Sequence, residues 1–191
     1  MNMEPTEQLS YILPTVSSVV DRIQVMQMDD PTPCDKFTVH DILDHMMVLG
    51  GTFTYWFRGD DAPELKPPGV YGWVPAKEFR EVMDDLLAAV TSPGALERMI
   101  ESPMGTMSGE TFARLVALDG LLHGWDLATA TGQRFELPPA VIDAVASFAA
   151  EALTDDLRDG DTFKSPKQSG PGAGPIERIA AFSGRTVAVA A

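Results

Sequence analysis

The sequence contains one cysteine, Cys34, and no uninterrupted apolar run long enough to cross a membrane. One cysteine excludes an internal disulfide and a zinc site built from several thiolates. A transmembrane helix needs about 20 consecutive apolar residues, so we expect no membrane-spanning segment. The N-terminus has no basic segment leading into an apolar one, which predicts the absence of a secretory signal and a location in the cytoplasm.

Basic residues are scarce as well. There are 14 lysines and arginines against 28 aspartates and glutamates, which gives a formal net charge of −14. A surface of this sign repels phosphate backbones and anionic lipids, so the sequence predicts neither a nucleic-acid nor a membrane partner. The length of 191 residues and the 45% of hydrophobic residues are typical of one globular domain, which we expect to span residues 1–191.

Apolar residues recur with helical spacing along most of the chain. Prolines, glycines and N-capping residues separate these stretches. The predicted helices cover residues 6–27, 38–59, 76–91, 109–131 and 139–155, with a short last helix at 176–184. The connections at 62–75 and 156–175 are rich in proline and glycine, and residues 92–108 are predicted to form an ordered loop with a short extended piece. The predicted fold class is all-α.

One helix carries polar residues on the side that should face the core. In the stretch LDGLLHGWDLATATGQ (118–133), His123 lies about 40° to one side of Asp119 on an ideal helix, and Asp126 lies about 20° to the other. The same side carries three apolar residues, Phe112, Leu115 and Leu122. A buried charge is costly unless it is paired, hydrogen-bonded or bound to a metal. The pattern therefore indicates that something binds between these polar side chains.

Asp119 and His123 have the spacing at which a helix presents two ligands to one ion. A carboxylate oxygen and an imidazole nitrogen suit zinc, nickel, manganese or iron. A third ligand must come from elsewhere, and the chain has three histidines. His45 lies on the apolar side of the second helix, whereas His40 lies about 140° away from it in the first turn. His45 is therefore the better candidate.

Spacing alone leaves other interpretations open. A buried histidine is more often hydrogen-bonded in a core than bound to metal, and Asp119 with His123 forms an ordinary ion pair if that side of the helix faces water. Asp126 either holds an imidazole N–H of His123 or bonds the end of a neighbouring helix. The candidates for lining a pocket beside the site are four residues that could equally be plain core: Met46, Thr52, Trp56 and Trp125.

Cys34 also requires an interpretation. It precedes the second helix, and a thiol near a helix N-terminus can become reactive. The neighbouring Asp35 opposes ionisation of that thiol. We therefore interpret Cys34 as a structural residue.

Three stretches resemble a known family. The segment PTPCDKFTVHDILDHMMVLGG (31–51), the segment 118–133 quoted above and the tail GPIERIAAFSGRT (174–186) are similar to signatures of the DinB/YfiT-like superfamily. They occur in the order found in its actinobacterial branch, which is related to mycothiol-dependent maleylpyruvate isomerase. His-Gly-Trp-Asp-Leu at 123–127 is the most specific part of the resemblance, and Phe37 stands where the branch usually carries tryptophan.

The resemblance implies a four-helix bundle of the DinB/YfiT type, with additional short C-terminal helices, that holds a divalent metal between two helices. By resemblance His45 and His123 are metal ligands. Asp119 stands where the maleylpyruvate isomerase carries glutamate, and the shorter side chain still offers carboxylate oxygens. Asp126 would support the site by holding an imidazole N–H. Zinc and nickel are the metals that we expect first.

The function implied by the resemblance is that of an enzyme. Relatives of known activity often use mycothiol, bacillithiol or glutathione, and this branch favours mycothiol. We expect a metal-dependent thiol S-transferase or isomerase acting on a small electrophile, because metal coordination deprotonates a thiol. No residue is assigned as a catalytic acid or base.

Three alternatives stay open at this point. They are a metal-dependent hydrolase, a non-catalytic metal-binding sensor or stress module, and a degenerate bundle that binds other molecules without a metal. Helical bundles of this type often dimerise, and the sequence leaves both a homodimer and a monomer open.

Overall fold

The computed structural model describes residues 3–61, 76–158 and 163–187, and these residues form six α-helices and one short hairpin. The helices are α1 (Pro5–Val20), α2 (Val39–Arg58), α3 (Ala76–Val90), α4 (Gly109–Ala130), α5 (Pro139–Ala152) and α6 (Pro175–Phe182). Two short 3-10 helices, Val25–Gln27 and Asp155–Leu157, lie in the connections. The predicted proline-rich connection at 62–75 lies outside the described residues.

The first four helices form a bundle. α1 packs against α3 and α4, and α2 packs against the same two helices, which closes a ring of four around a hydrophobic core. α5 and α6 lie outside this ring, in contact with α4 and with each other. The predicted all-α fold, a four-helix bundle with additional C-terminal helices, is confirmed. None of the helices in the described ranges is both long and apolar enough to span a bilayer.

An antiparallel hairpin joins α3 to α4. Its strands are β1 (Met99–Ser102) and β2 (Gly105–Ser108), paired from Met99 with Ser108 to Ser102 with Gly105. Gly105 has a φ of 106°, a left-handed value that favours glycine in the turn. The hairpin is the short extended piece that the sequence predicts between these two helices.

The start of α2 is fixed by side-chain capping. The Thr38 hydroxyl accepts a hydrogen bond from the backbone N–H of Asp41 over 3.2 Å, and the Asp41 carboxylate accepts one from the backbone N–H of Thr38 over 2.8 Å. This reciprocal arrangement satisfies donors that a helix N-terminus otherwise leaves unpaired. At the other end, Gly59 follows the helix with a φ of 80°. These two signals define where His45 lies along the helix axis.

The first helix is shorter than predicted. α1 ends at Val20, whereas the apolar spacing predicts a helix up to residue 27. The chain turns after Val20 through backbone hydrogen bonds with three-residue spacing, such as that from the Ile23 N–H to the Val20 carbonyl. The turn keeps the Ile23 side chain in the core, while Val25 and Met26 are exposed. The apolar spacing therefore extends to Ile23, although the helix ends at Val20.

Helix α4 is buried on almost all sides. Among its 22 residues 15 are buried, including every residue from 120 to 128. The bundle covers one side of the helix, and α5 and α6 pack on it as well. Polar side chains in this part of α4 cannot reach water by facing outward, so they need partners inside the protein.

Gly124 lets α4 pack closely against α1. A Cβ atom at this position would lie 2.7 Å from the Val16 Cγ2 atom and 2.6 Å from two ring carbons of Phe135. We predict that Gly124→Ala lowers the free energy of unfolding by about 1–3 kcal/mol, because overpacking outweighs the gain in helix propensity. Chemical denaturation of the purified variant measures the change.

Gly51→Ala, in α2, is the matched control, because a Cβ atom there meets no other atom within 4 Å. We expect this variant to raise the free energy of unfolding by about 0.5–1 kcal/mol through helix propensity. Equal changes in the two variants would contradict the close packing at Gly124.

Candidate metal centre

Three predicted ligands, which we name the His-Asp-His cluster (His45, Asp119 and His123), meet between α2 and α4. His45 lies in the second turn of α2, and Asp119 and His123 lie one turn apart on α4. The Asp119 Oδ1 atom is 3.4 Å from the His123 Nε2 atom and 3.7 Å from the His45 Nε2 atom. One potential ligand atom from each residue lies within 4.8 Å of the other two. The structure thus brings together the residues that the spacing selects.

The geometry of the cluster fits one divalent ion. Zinc binds nitrogen and oxygen ligands at about 2 Å, which places tetrahedral ligand atoms about 3.3 Å apart. The His45 Nε2 atom is buried and makes no hydrogen bond with any described residue. A buried nitrogen without a partner is costly, and coordination of an ion would remove that cost. The donor set and the unpartnered nitrogen therefore both suit a metal.

The charges in the cluster are strongly coupled. Burial by itself lowers the pKa of His123, but the Asp119 carboxylate and then Asp126 raise this pKa, to about 9. Burial raises the pKa of Asp119, yet His123, together with His45, lowers it well below its ordinary value. Asp119 is therefore ionised beside a protonated His123. A metal ion competes with that proton for the same place.

A buried carboxylate orients the His123 ring. Asp126 is fully buried, and its Oδ2 atom lies 3.2 Å from the His123 Nδ1 atom. The contact makes Nδ1 a donor to Asp126, so Nε2, which faces Asp119, is the ring nitrogen that an ion can bind once it displaces the proton there.

Arg185 extends this buried polar chain, and the sequence analysis missed it. Its Nε atom donates to both carboxylate oxygens of Asp126, over 3.0 and 2.9 Å, and its Nη1 atom donates to the Ser183 hydroxyl over 3.0 Å. All three side chains are buried. Because Arg185 follows α6, the ion pair ties the C-terminal segment to α4. Arg185 is the one charged residue between positions 179 and 187, and this isolated charge is the sequence signal that could have identified it.

Phe37 covers the two imidazoles from the loop before α2. Its ring centroid lies 5.5 Å from that of His45 and 6.0 Å from that of His123. The two imidazole centroids are 4.9 Å apart, in an edge-to-face arrangement. The aromatic ring shields the cluster on one side and restricts the motion of both imidazoles.

The His-Asp-His cluster lies on the wall of a cavity of about 300 Å³. Most of the remaining lining comes from the loop 34–37 and from residues 163–164 and 183–185. Cys34 belongs to this lining, and burial raises the pKa of its thiol, which keeps it protonated at neutral pH. The cavity is thus built jointly by the bundle, the loop before α2 and the C-terminal segment.

Four residues predicted to line the pocket lie elsewhere. The described lining of the cavity contains none of them: Met46, Thr52, Trp56 and Trp125. Trp56 packs against Phe53 and Phe112, and the Thr52 hydroxyl donates to the Val48 carbonyl in its own helix. Met46 lines a much smaller space that also touches Asp119, and Trp125 lines a groove beside Pro175. The role of these four residues as pocket lining therefore stays a prediction.

Helix geometry explains why these four residues lie away from this cavity. Thr52 and Trp56 share a face with His45, but at about 1.5 Å per residue they lie about 10 Å and about 16 Å further along α2. The cavity lies at the N-terminal end of that helix. Met46 points about 100° away from His45, and Trp125 about 160° away from His123. Helical spacing shows which side chains point in the same direction, but it does not show where along the helix axis a cavity lies.

The buried ion pair leads to a stability prediction. Arg185→Met keeps much of the side-chain volume but leaves the buried Asp126 carboxylate without its cationic partner. We predict a loss of about 3–5 kcal/mol in the free energy of unfolding near neutral pH. Chemical and thermal denaturation measure this loss.

Arg58→Met is the control, because Arg58 also pairs with a carboxylate, that of Asp85, but at the surface. We expect the control to lose far less stability than Arg185→Met does, because water and salt screen an ion pair at the surface. A loss in Arg185→Met no larger than that in the control would show that Asp126 does not depend on the pair.

No protein-family model matches the sequence. Two relatives, uncharacterized proteins from two strains of Mycobacterium tuberculosis, are each 28% identical to the chain over 172 residues. The matched residues cover 90% of this chain and 92% of each relative. The similarity therefore extends over nearly the whole length of all three proteins.

Among solved structures, the chain is similar to the crystal structure of a mutant of the mycothiol-dependent maleylpyruvate isomerase. The TM-score is 0.54 at 13% sequence identity, and the match covers 87% of this chain and 82% of that chain. At this identity the likeness concerns the fold. The fold that the sequence motifs predict is thus confirmed, because the chain has the helical fold of the mycothiol-dependent maleylpyruvate isomerase.

Proposed function

We propose that this protein is a divalent-metal-dependent enzyme that uses a low-molecular-weight thiol for S-transfer to a small electrophile or for its isomerisation. The observation that carries the proposal is the convergence of the His-Asp-His cluster on the wall of a cavity of small-molecule size. The fold shared with a mycothiol-dependent isomerase supports it.

The ligand set favours a catalytic site over a closed structural one. Three protein ligands leave a coordination position open, whereas structural zinc sites have four protein ligands. Because the cluster lines the cavity, a small molecule there can approach the ion. These three residues would hold a divalent cation, which would supply the charge that lowers the pKa of a coordinated thiol or water.

The residues of the chain prepare the site for such an ion. The two Nε2 atoms supply nitrogen ligands, and the Asp119 carboxylate supplies a negative charge. Asp126 accepts the Nδ1–H of His123 and so selects the tautomer whose Nε2 atom can bind a metal. Arg185 holds Asp126 in turn. These contacts orient the ligand atoms before an ion arrives.

A thiol from solution is the nucleophile in this proposal. The solved relative is a mycothiol-dependent enzyme, and we propose that mycothiol or a similar thiol binds in this cavity as well. Cys34 does not supply the nucleophile, because burial keeps its thiol protonated. The electrophile would bind beside the thiol in the same cavity.

Zinc and nickel are the ions that we propose, since imidazole and carboxylate ligands suit both. An S-transferase and an isomerase are both consistent with the site, because thiol addition to an electrophile begins either reaction. A homodimer and a location in the cytoplasm stay predictions.

Cobalt substitution tests the proposal. Cobalt(II) replaces zinc in most sites and absorbs visible light with a spectrum that depends on its ligands. We predict that mycothiol or glutathione, added to the cobalt-loaded protein, produces the charge-transfer absorption of thiolate bound to cobalt, at one thiol per chain. His45→Ala and His123→Ala should weaken cobalt binding by at least about tenfold.

His40→Ala is the matched control, since it removes an imidazole from α2 but not from the cluster. This variant should bind cobalt as tightly as the parent protein does. Cobalt binding without a spectral response to thiols would instead favour a hydrolase or a metal sensor. An absence of cobalt binding would refute the proposal.

A further inference from the structure

The two histidines of the His-Asp-His cluster are held in different ways. The His123 side chain is 5% exposed, and its Nδ1 atom lies 3.2 Å from the carboxylate of the buried Asp126. The His45 side chain is 28% exposed, and its Nε2 atom makes no hydrogen bond with any described residue. That atom lies 3.7 Å from the Asp119 carboxylate, which is beyond hydrogen-bonding distance. A hydrogen bond to a buried carboxylate therefore orients the first imidazole and not the second.

Aromatic packing provides the restraint on the second imidazole. The Phe37 ring lies 5.5 Å from the His45 ring, centroid to centroid, with 39° between the two planes. Its distance to the His123 ring is longer, at 6.0 Å. Phe37 is half-buried and lines the cavity beside the cluster. An aromatic ring packed on an imidazole limits the orientations that the imidazole can adopt.

The backbone of the loop before α2 fixes the position of Phe37. Its N–H group donates a hydrogen bond to the Cys34 carbonyl over 2.8 Å, and its carbonyl accepts one from the Thr32 hydroxyl over 2.7 Å. The Thr32 N–H donates to the same carbonyl over 3.3 Å. All three bonds involve the backbone of Phe37. A substitution at this position therefore removes the ring without removing the bonds that shape the loop.

We propose that Phe37 is a positioning residue for His45, and that its ring does by packing what Asp126 does for His123 by hydrogen bonding. The inference rests on the proposed function, because it concerns the metal that His45 would bind. A ligand side chain that rotates freely loses this freedom when it coordinates an ion, and the loss weakens binding. Phe37 thus raises the affinity for the metal without being one of its ligands.

The zinc affinity of Phe37→Leu tests the proposal. Leucine keeps an apolar side chain at position 37 but has no ring to pack on the imidazole. We expect zinc binding, measured by isothermal titration calorimetry, to be weaker by about tenfold, as is typical when a residue that orients a metal ligand is replaced. Chemical denaturation of the metal-free variant checks that it folds like the parent protein.

Phe163→Leu is the matched control. Phe163 is also half-buried and lines the same cavity, but no ring contact among the described residues joins it to an imidazole. This variant should bind zinc as tightly as the parent protein does. The comparison separates the loss of a phenylalanine from the cavity wall from the loss of the ring that packs on His45.

A double-mutant cycle separates positioning from a general effect on the fold. Adding Phe37→Leu to His45→Ala should leave the zinc affinity unchanged, because the side chain that the ring positions is already absent. Adding it to His123→Ala should again weaken zinc binding by about tenfold, because His45 is still a ligand there. A general effect on the fold would weaken zinc binding equally in the two histidine variants.

Three results would overturn the inference. They are a parent-like zinc affinity in Phe37→Leu, an equal loss of affinity in Phe163→Leu, and equal losses when Phe37→Leu is added to the two histidine variants. Each of them leaves the proposed function standing, because the parent protein still binds zinc in all three cases. A parent protein that binds no zinc would refute the proposed function, and the inference with it.

Discussion

The burial of charge on α4 is the constraint around which this molecule is organised. Residues 120–128 are buried, yet they include the His123 imidazole and the Asp126 carboxylate. Neither group is stable in such surroundings without partners. Arg185 reaches Asp126 from the segment after α6, and His45 faces His123 from α2. The C-terminal segment is thus held in place by the ion pair between its Arg185 and the buried Asp126 carboxylate of α4.

The same contacts keep three potential metal ligands on the wall of one cavity. The His-Asp-His cluster on its wall offers two imidazoles and one carboxylate, a set that suits a divalent cation. Similarity of fold to an isomerase does not determine the reaction, because function depends on the side chains of the site. The convergence of three potential metal ligands on the wall of one cavity is the feature that limits the possible reactions of this site.

Local signals made much of the fold predictable, and distant partners made the rest unpredictable. The Thr38 capping box and the glycine at 59 place α2 within one residue of its predicted bounds. The His-Asp-His cluster could be selected because helical spacing and the family motif point to the same side chains. The partner of Asp126 could not, since Arg185 is 59 residues away and no local rule links the two. The extent of the cavity could not be predicted for a related reason, because residues 163–164 and 183–185 form part of its wall and are distant in sequence from the cluster.

The metal content of the purified protein tests the central claim most directly. The protein is loaded with zinc or nickel, freed of excess metal and weighed by native mass spectrometry beside the His123→Ala variant. The account predicts one divalent ion per chain in the parent protein and none in the variant. A parent protein without metal, or a variant that retains a full equivalent, would contradict the account.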